Sequence, residues 1–109
     1  MTTVTFLTEG KRIIGFDAKG HSGYAEAGSD IVCAAITSAV RLTECAVNDV
    51  LGLEAPVKVR EKEASITLTL PGGLGQTNES TCQTLLAALM VHFVQVAEEY
   101  PDSISVLEV

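Results

Sequence analysis

The 109-residue sequence predicts an α+β fold, a two-layer sandwich in which two long helices cover one mostly antiparallel sheet. Two observations carry this. Twice, a pair of short segments alternating apolar and polar residues is joined by a tight turn, and each pair is followed by one long segment with helical periodicity. A last alternating segment closes the chain, giving the order β-β-α-β-β-α-β.

Thr3–Leu7 places Val4 and Phe6 on one side and Thr3 and Thr5 on the other, as a half-buried strand requires. Glu9 and Gly10 turn the chain into a second strand, Arg12–Gly20, with Ile14, Phe16 and Ala18 facing inward. After a glycine-punctuated loop, a helix is expected from about Asp30 to Leu51, with Ser29 as its N-cap and Gly52 as its stop. Val57–Arg60 and Ala64–Leu70 form a second hairpin around Glu61–Glu63, with Ile66, Leu68 and Leu70 on one face. The stretch PGGLGQTN, Pro71–Asn78, reads as a flexible loop, and Gly72, Gly73 and Gly75 make it a candidate lid. Ser80 with Gln83 three residues on matches a capping box and starts a helix that Pro101 ends. Ser103–Val109 is the final strand. Residues 1–109 read as a single domain, with no repeat or linker.

Seven basic against fourteen acidic side chains give a net charge of −7. A direct nucleic-acid partner is therefore not expected, because phosphate binding needs a basic surface. Hydrophobic residues at 47% and charged residues at 19% describe a folded chain with a substantial core. The three cysteines, Cys33, Cys45 and Cys82, include no CxxC pair, and neither glycine cluster has the spacing of a phosphate-binding loop. No metal and no cofactor are expected. Met1 leads directly into a strand, and no apolar run approaches the roughly 20 residues of a membrane span. The expectation is a reduced, soluble, cytoplasmic protein. The first helix is apolar around much of its circumference (Ile31, Val32, Ala35, Ile36, Ala39, Val40, Leu42, Ala46, Val47 and Val50), which predicts a homodimer covering its outer side.

Between Gly20 and Ala35 the chain reads GHSGYAEAGSDIVCAA. This places His21 and Cys33 in one loop that leads into a helix. A thiol becomes a nucleophile when its thiolate is stabilised and a base stands nearby; a helix N-terminus offers the first and a histidine the second. Cys82 falls on a stripe with Leu85, Leu86, Leu89 and Phe93 and reads as packing. Cys45 lies deep in the helix at a boundary position and reads as structural. Cys33 shares the polar side of its helix with Asp30, Thr37, Arg41, Glu44 and Asn48, and is expected in the first turn, within reach of the helix dipole. His92 sits mid-helix on an exposed or interface side. Asp30 opposes a thiolate as a bare neighbour, steadies an imidazolium if it accepts a hydrogen bond from His21, or caps the helix start. Gly20, Gly23 and Gly28 let a substrate backbone come close, and the N–H groups of the loop are candidates for an oxyanion hole.

The pattern G-H-small-x-x-x-x-x-G-x-D-I-V-C-A from Gly20 to Ala34 resembles the ribosomal-processing cysteine protease family called Prp, and the element order is similar over essentially the full length. The resemblance implies a bacterial cytoplasmic endopeptidase, generally homodimeric, that removes a short N-terminal extension from a large-subunit ribosomal protein, cutting after an aromatic residue. It puts the catalytic histidine on His21, the nucleophile on Cys33 and the motif aspartate on Asp30. Ser22 stands where the family usually has alanine, and Thr37 where a serine is frequent. The substrate loop is then Gly20, Ser22, Gly23, Glu26 and Gly28, with Glu26 and Asp30 as candidates for reading a substrate Lys or Arg. Two other readings stay open: a non-catalytic, ribosome-associated interaction module, and a redox-sensing thiol, which needs a resolving cysteine.

Overall fold

The computed structural model describes residues 1–20 and 27–109, with side chains described for 1–20 and 31–109. The strands are β1 (Thr2–Glu9), β2 (Arg12–Lys19), β3 (Val57–Arg60), β4 (Ser65–Thr69) and β5 (Ile104–Glu108); the helices are α1 (Ala27–Glu44) and α2 (Gln76–Glu99). One sheet runs β3-β4-β2-β1-β5. Its β1/β2, β2/β4 and β3/β4 pairs are antiparallel, and β5 returns parallel to β1. The order β-β-α-β-β-α-β and the mostly antiparallel sheet match the sequence reading.

Both helices cover the same face of the sheet. Phe6 meets Phe16 and Phe93 at ring-centroid distances of 6.2 and 6.5 Å, which brings α2 onto the side of β1 that carries Thr2, Val4 and Phe6. On that side Val32, Ile36 and Val40 of α1 are buried with Val4, Phe6, Phe16, Leu68, Leu86 and Phe93. The spacing Val32–Ile36–Val40 is one helical stripe, and it fixes the rotation of α1.

Several local readings change. In β2 the alternation slips: Leu7 pairs with Gly15 and Thr8 with Ile13, so Ile14 is an unmatched bulge residue. The bulge turns Ile13 inward, where it is 8% exposed, and leaves Ile14 only half-buried, the reverse of the expected Ile14-inward pattern. The first helix starts at Ala27, so Ser29 is not an N-cap but lies within the helix. The α-helix also stops at Glu44 and continues as a six-residue π-helical segment, Cys45–Val50, with the Leu51 N–H donating to the Ala46 carbonyl. Gly52 follows that segment as expected. The second helix starts at Gln76 with Gly75 at its cap, a turn before the expected Ser80. The Gln83 side chain does not reach back to cap it. Its amide instead accepts from the Ile13 N–H and donates to the Ile13 carbonyl, both at 2.8 Å, so helix and strand are clamped together.

Ile31–Val50 and Gln76–Glu99 have the length and apolar content of membrane spans, contrary to the reading that no such run exists. In this fold each presents one stripe to the sheet, with Val32, Ile36, Val40 and Val47 buried on the first and Cys82, Leu86, Leu89 and Phe93 on the second.

Two contacts at the Pro71 end of the sheet bear directly on stability. Gly15 faces the β4 backbone so closely that a Cβ there would overlap the Leu68 carbonyl oxygen. Backbone cannot move aside as a flexible side chain can, so Gly15→Ala is expected to cost about 1–3 kcal/mol, read as a lower denaturant midpoint. Arg12 Nε sits 2.8 Å from Glu79 Oε2 while its Nη2 donates to the Pro71 carbonyl at 3.0 Å. The hydrogen bond from Arg12 holds the Glu79 carboxyl below its ordinary range of 4.5. A lowered folded-state value contributes stability above the unfolded value and loses it as pH falls through the folded one. Both side chains are about one-third exposed, so the pair is worth at most about 1 kcal/mol. The stability gap between the native chain and Glu79→Gln is therefore expected to be largest at neutral pH and to shrink as pH falls below 4.5, measured by denaturation at each pH.

Candidate active site

The end of the sheet opposite Pro71 gathers the start of β1, the end of β2 and the start of β4. Gly20 is held there from three directions. Its N–H donates to the Ala64 carbonyl at 3.0 Å, its carbonyl accepts from the Thr2 hydroxyl at 3.2 Å, and its α-carbon faces the Met1 carbonyl so closely that a Cβ would come within 2.7 Å. At φ +92° the position also favours glycine. Thr2, only 5% exposed, is itself tied by its N–H to the Ser103 carbonyl at 2.9 Å. The chain therefore leaves β2 toward residue 21 from a fixed point.

Cys33 lies across from this point on α1. With Val32 and Ile36 turned into the core, the neighbouring Cys33 falls at the margin of the buried stripe and is partly exposed. It lines two spaces. One is a small, mainly apolar cavity of about 60 Å³ between α1 and the sheet, bordered by Thr2, Ala18, Gly20, Ile36 and Ala64 among others. The other is an open trough of about 530 Å³ along the outside of the helix, lined by Cys33, Ala34, Thr37, Ser38 and Arg41. Thr37 borders both and donates its hydroxyl proton to the Cys33 carbonyl at 2.9 Å, one turn back.

The remaining candidate residues divide clearly. His21, Ser22, Gly23 and Glu26 lie outside the described residues. Gly28 and Asp30 belong to the first turn of α1, with side chains outside the description. Because α1 begins at Ala27, Cys33 is its seventh residue and not in its first turn, as expected from the sequence. The dipole effect fades beyond that turn, and the N–H groups without intrahelical partners belong to residues before Cys33. Cys82 is fully buried and burial pushes its thiol up, which suits the packing role read from the sequence. Cys45 is exposed, not at a boundary, because on the helical period it falls opposite the buried Val32–Ile36–Val40 stripe. Twelve residues along the helix from Cys33, or about 18 Å, it is too far to pair with it. His92 is exposed on α2, within the alternatives the sequence left open.

The proposed lid is overturned by topology. Pro71 follows the end of β4, and Leu70 donates its N–H to the Ile14 carbonyl near the start of β2. Cys33 instead neighbours the far end of β2, about 20 Å away along the strand. Within one chain Gly72, Gly73 and Gly75 do not cover Cys33. What the sequence did not disclose is the wall opposite the thiol: Thr2, Ala64 and Ile66 join the cavity only through strand register, for which no local motif exists.

Among known proteins, the ribosomal processing cysteine protease Prp of Bacillus subtilis strain 168 is 28% identical over 96 residues, 88% of this chain and 86% of that protein. The ribosomal processing protease Prp from S. aureus, in complex with a substrate peptide, superposes over the whole of both chains with a TM-score of 0.85 at 19% identity. SMU.848 from Streptococcus mutans superposes with a TM-score of 0.84 at 20% identity, covering 99% of this chain and 93% of that one. The model of the family described as cysteine protease Prp matches residues 1–105, and with that match the chain belongs to the cysteine protease Prp family.

Proposed function

We propose that this chain, as one domain over residues 1–109, is a cytoplasmic endopeptidase that removes a short N-terminal extension from a large-subunit ribosomal protein. Cys33 is the nucleophile, His21 the general base and acid, and Asp30 the residue that orients the histidine. The observation that carries this is that Gly20, the residue joined to His21, borders the same cavity as Cys33. A thirteen-position sequence separation (20 to 33) is thereby reduced to facing walls of one small space.

The chemistry follows from the residue types. His21 takes the Cys33 proton, and the thiolate sulfur bonds to the scissile carbonyl carbon, pushing its electron pair onto oxygen. Collapse of that intermediate breaks the C–N bond, and the imidazolium gives its proton to the leaving amine. Water, deprotonated by the same histidine, then hydrolyses the thioester and frees the new carboxyl terminus. No cofactor enters any step. With Cys33 in the second turn of α1, activation of the thiol falls on the histidine. The substrate loop in this reading is Gly20, Ser22, Gly23, Glu26 and Gly28, and the net charge of −7 suits a basic ribosomal-protein substrate.

The B. subtilis relative is described as a ribosomal processing protease, and the S. aureus one was solved with a substrate peptide and with a covalently linked product peptide. These support the assignment of reaction and substrate class. The homodimer belongs to the same reading. Ile31, Leu42 and Val50, on the first helical stretch, stand 68%, 70% and 77% exposed, and a second copy covers them.

Mass spectrometry of the extended ribosomal protein incubated with this chain is expected to show one cut near the N-terminus. With Cys33→Ala the rate falls by on the order of 10⁴-fold or more, at unchanged thermal stability. A cut that persists in Cys33→Ala removes the nucleophile assignment; no cut with either chain, alongside tight binding, favours the interaction module. Sedimentation at micromolar concentration is expected to give twice the 11.5 kDa chain mass, and a clean 11.5 kDa species removes the dimer.

A further inference from the structure

The circumference of α1 divides into three sectors. Val32, Ile36 and Val40 are buried, Ile31, Ala35 and Leu42 form an exposed apolar row, and the trough from Cys33 to Arg41 runs between them. Its floor is small and nearly featureless: Ala34, Thr37 and Ser38 let a peptide backbone lie close to the helix. Arg41 is the one charged side chain among the described residues that line it, and it is exposed. Among the described residues it makes no ion pair, whereas Arg12 and Arg60 each have a carboxylate partner.

We infer that Arg41 is a specificity-determining residue that pairs with a carboxylate on the peptide substrate, two to four residues from the scissile bond. The inference rests on the protease reading above and adds a charge preference to it. The distance follows from helix geometry. Eight residues separate Cys33 from Arg41, a rise of about 12 Å, and a helical side chain leans back toward the N-terminus by up to a turn. The guanidinium thus reaches points about 6–12 Å along the trough from the thiol. An extended peptide advances about 3.3 Å per residue, which sets the interval of two to four residues. A guanidinium fork matches a carboxylate with two parallel N–H···O bonds, so Glu or Asp is preferred there over Gln, and Lys is disfavoured. The pair lies at an open rim and acts equally in the bound ground state and the transition state, so it lowers KM and leaves kcat nearly unchanged. The overall charge of −7 sharpens the discrimination, because a carboxylate finds attraction on this chain at few other points.

The test uses a fluorogenic peptide spanning the cut in the extended ribosomal protein, with one residue at a time changed to Glu, Gln or Lys across four positions on either side of the bond. Glu is expected to raise kcat/KM about threefold to tenfold over Lys, at one position or two adjacent ones and on one side of the cut. The effect appears in KM and shrinks in 1 M salt. Arg41→Glu reverses the preference and Arg41→Lys retains part of it. A flat scan, or a preference unchanged in Arg41→Glu, overturns the inference while the protease assignment stands. Failure to cut any peptide overturns both.

Discussion

Val32, Ile36 and Val40 press one stripe of α1 onto the sheet, and the candidate site depends on that contact. A helix free to roll by one residue, about 100°, would carry Cys33 either into the core or away from the strands. With the stripe buried, the adjacent position is left at the margin, where the thiol meets the small cavity on one side and the trough on the other. Apolar burial of this kind is non-directional in energy, but through the helical period it becomes a directional constraint on a polar neighbour. The sheet supplies the opposing wall. Antiparallel pairing of β1, β2 and β4 brings Thr2, Gly20 and Ala64 to one end, where Gly20 accepts from the Thr2 hydroxyl and donates its N–H to the Ala64 carbonyl.

The two ends of the sheet are held differently. At the Pro71 end the Arg12–Glu79 pair and the Gln83 amide tie β2 to α2, and the Gly15–Leu68 approach locks β2 against β4. Asn48 provides the same kind of clamp beyond α1: it donates to the Ala55 carbonyl at 3.0 Å and accepts from the Ala55 N–H at 2.7 Å. Gln83 and Asn48 each satisfy one backbone N–H and one backbone carbonyl, those of Ile13 and Ala55.

The element order was legible because alternation, hairpin turns and helical periodicity are local properties, and Val4, Phe6, Phe16 and Leu68 fall where that pattern puts them. The errors have tertiary causes. Ile13 and Ile14 exchange places because of a bulge defined by the β1 partner strand. Ser80 and Gln83 have the spacing of a capping box, yet Gln83 is drawn to the Ile13 backbone, and the helix runs one turn further back to Gly75. The supposed lid failed for the same reason: glycines mark mobility in a sequence but not the end of the sheet on which they stand. The motif around Cys33 was legible as a family pattern; its cavity partners Thr2, Ala64 and Ile66 were not, since only strand register assembles them.

The earlier start of α1 has the largest chemical consequence. A thiol in the first turn would draw on unpaired N–H groups and on the positive end of the dipole, a contribution of about 0.3–1 kcal/mol at an exposed position. From the seventh residue of the helix neither is at hand, so the helix supplies position more than electrostatics. On the proposed reading Cys33 as nucleophile needs a base from elsewhere, and the candidate His21 is the residue that follows Gly20 in the chain. Fixing Gly20 by Thr2, Ala64 and the Met1 carbonyl is then more than a strand ending. It holds Gly20 on the wall of the Cys33 cavity, so that, on the proposed reading, a packing arrangement of three strands sets the point from which the base is delivered.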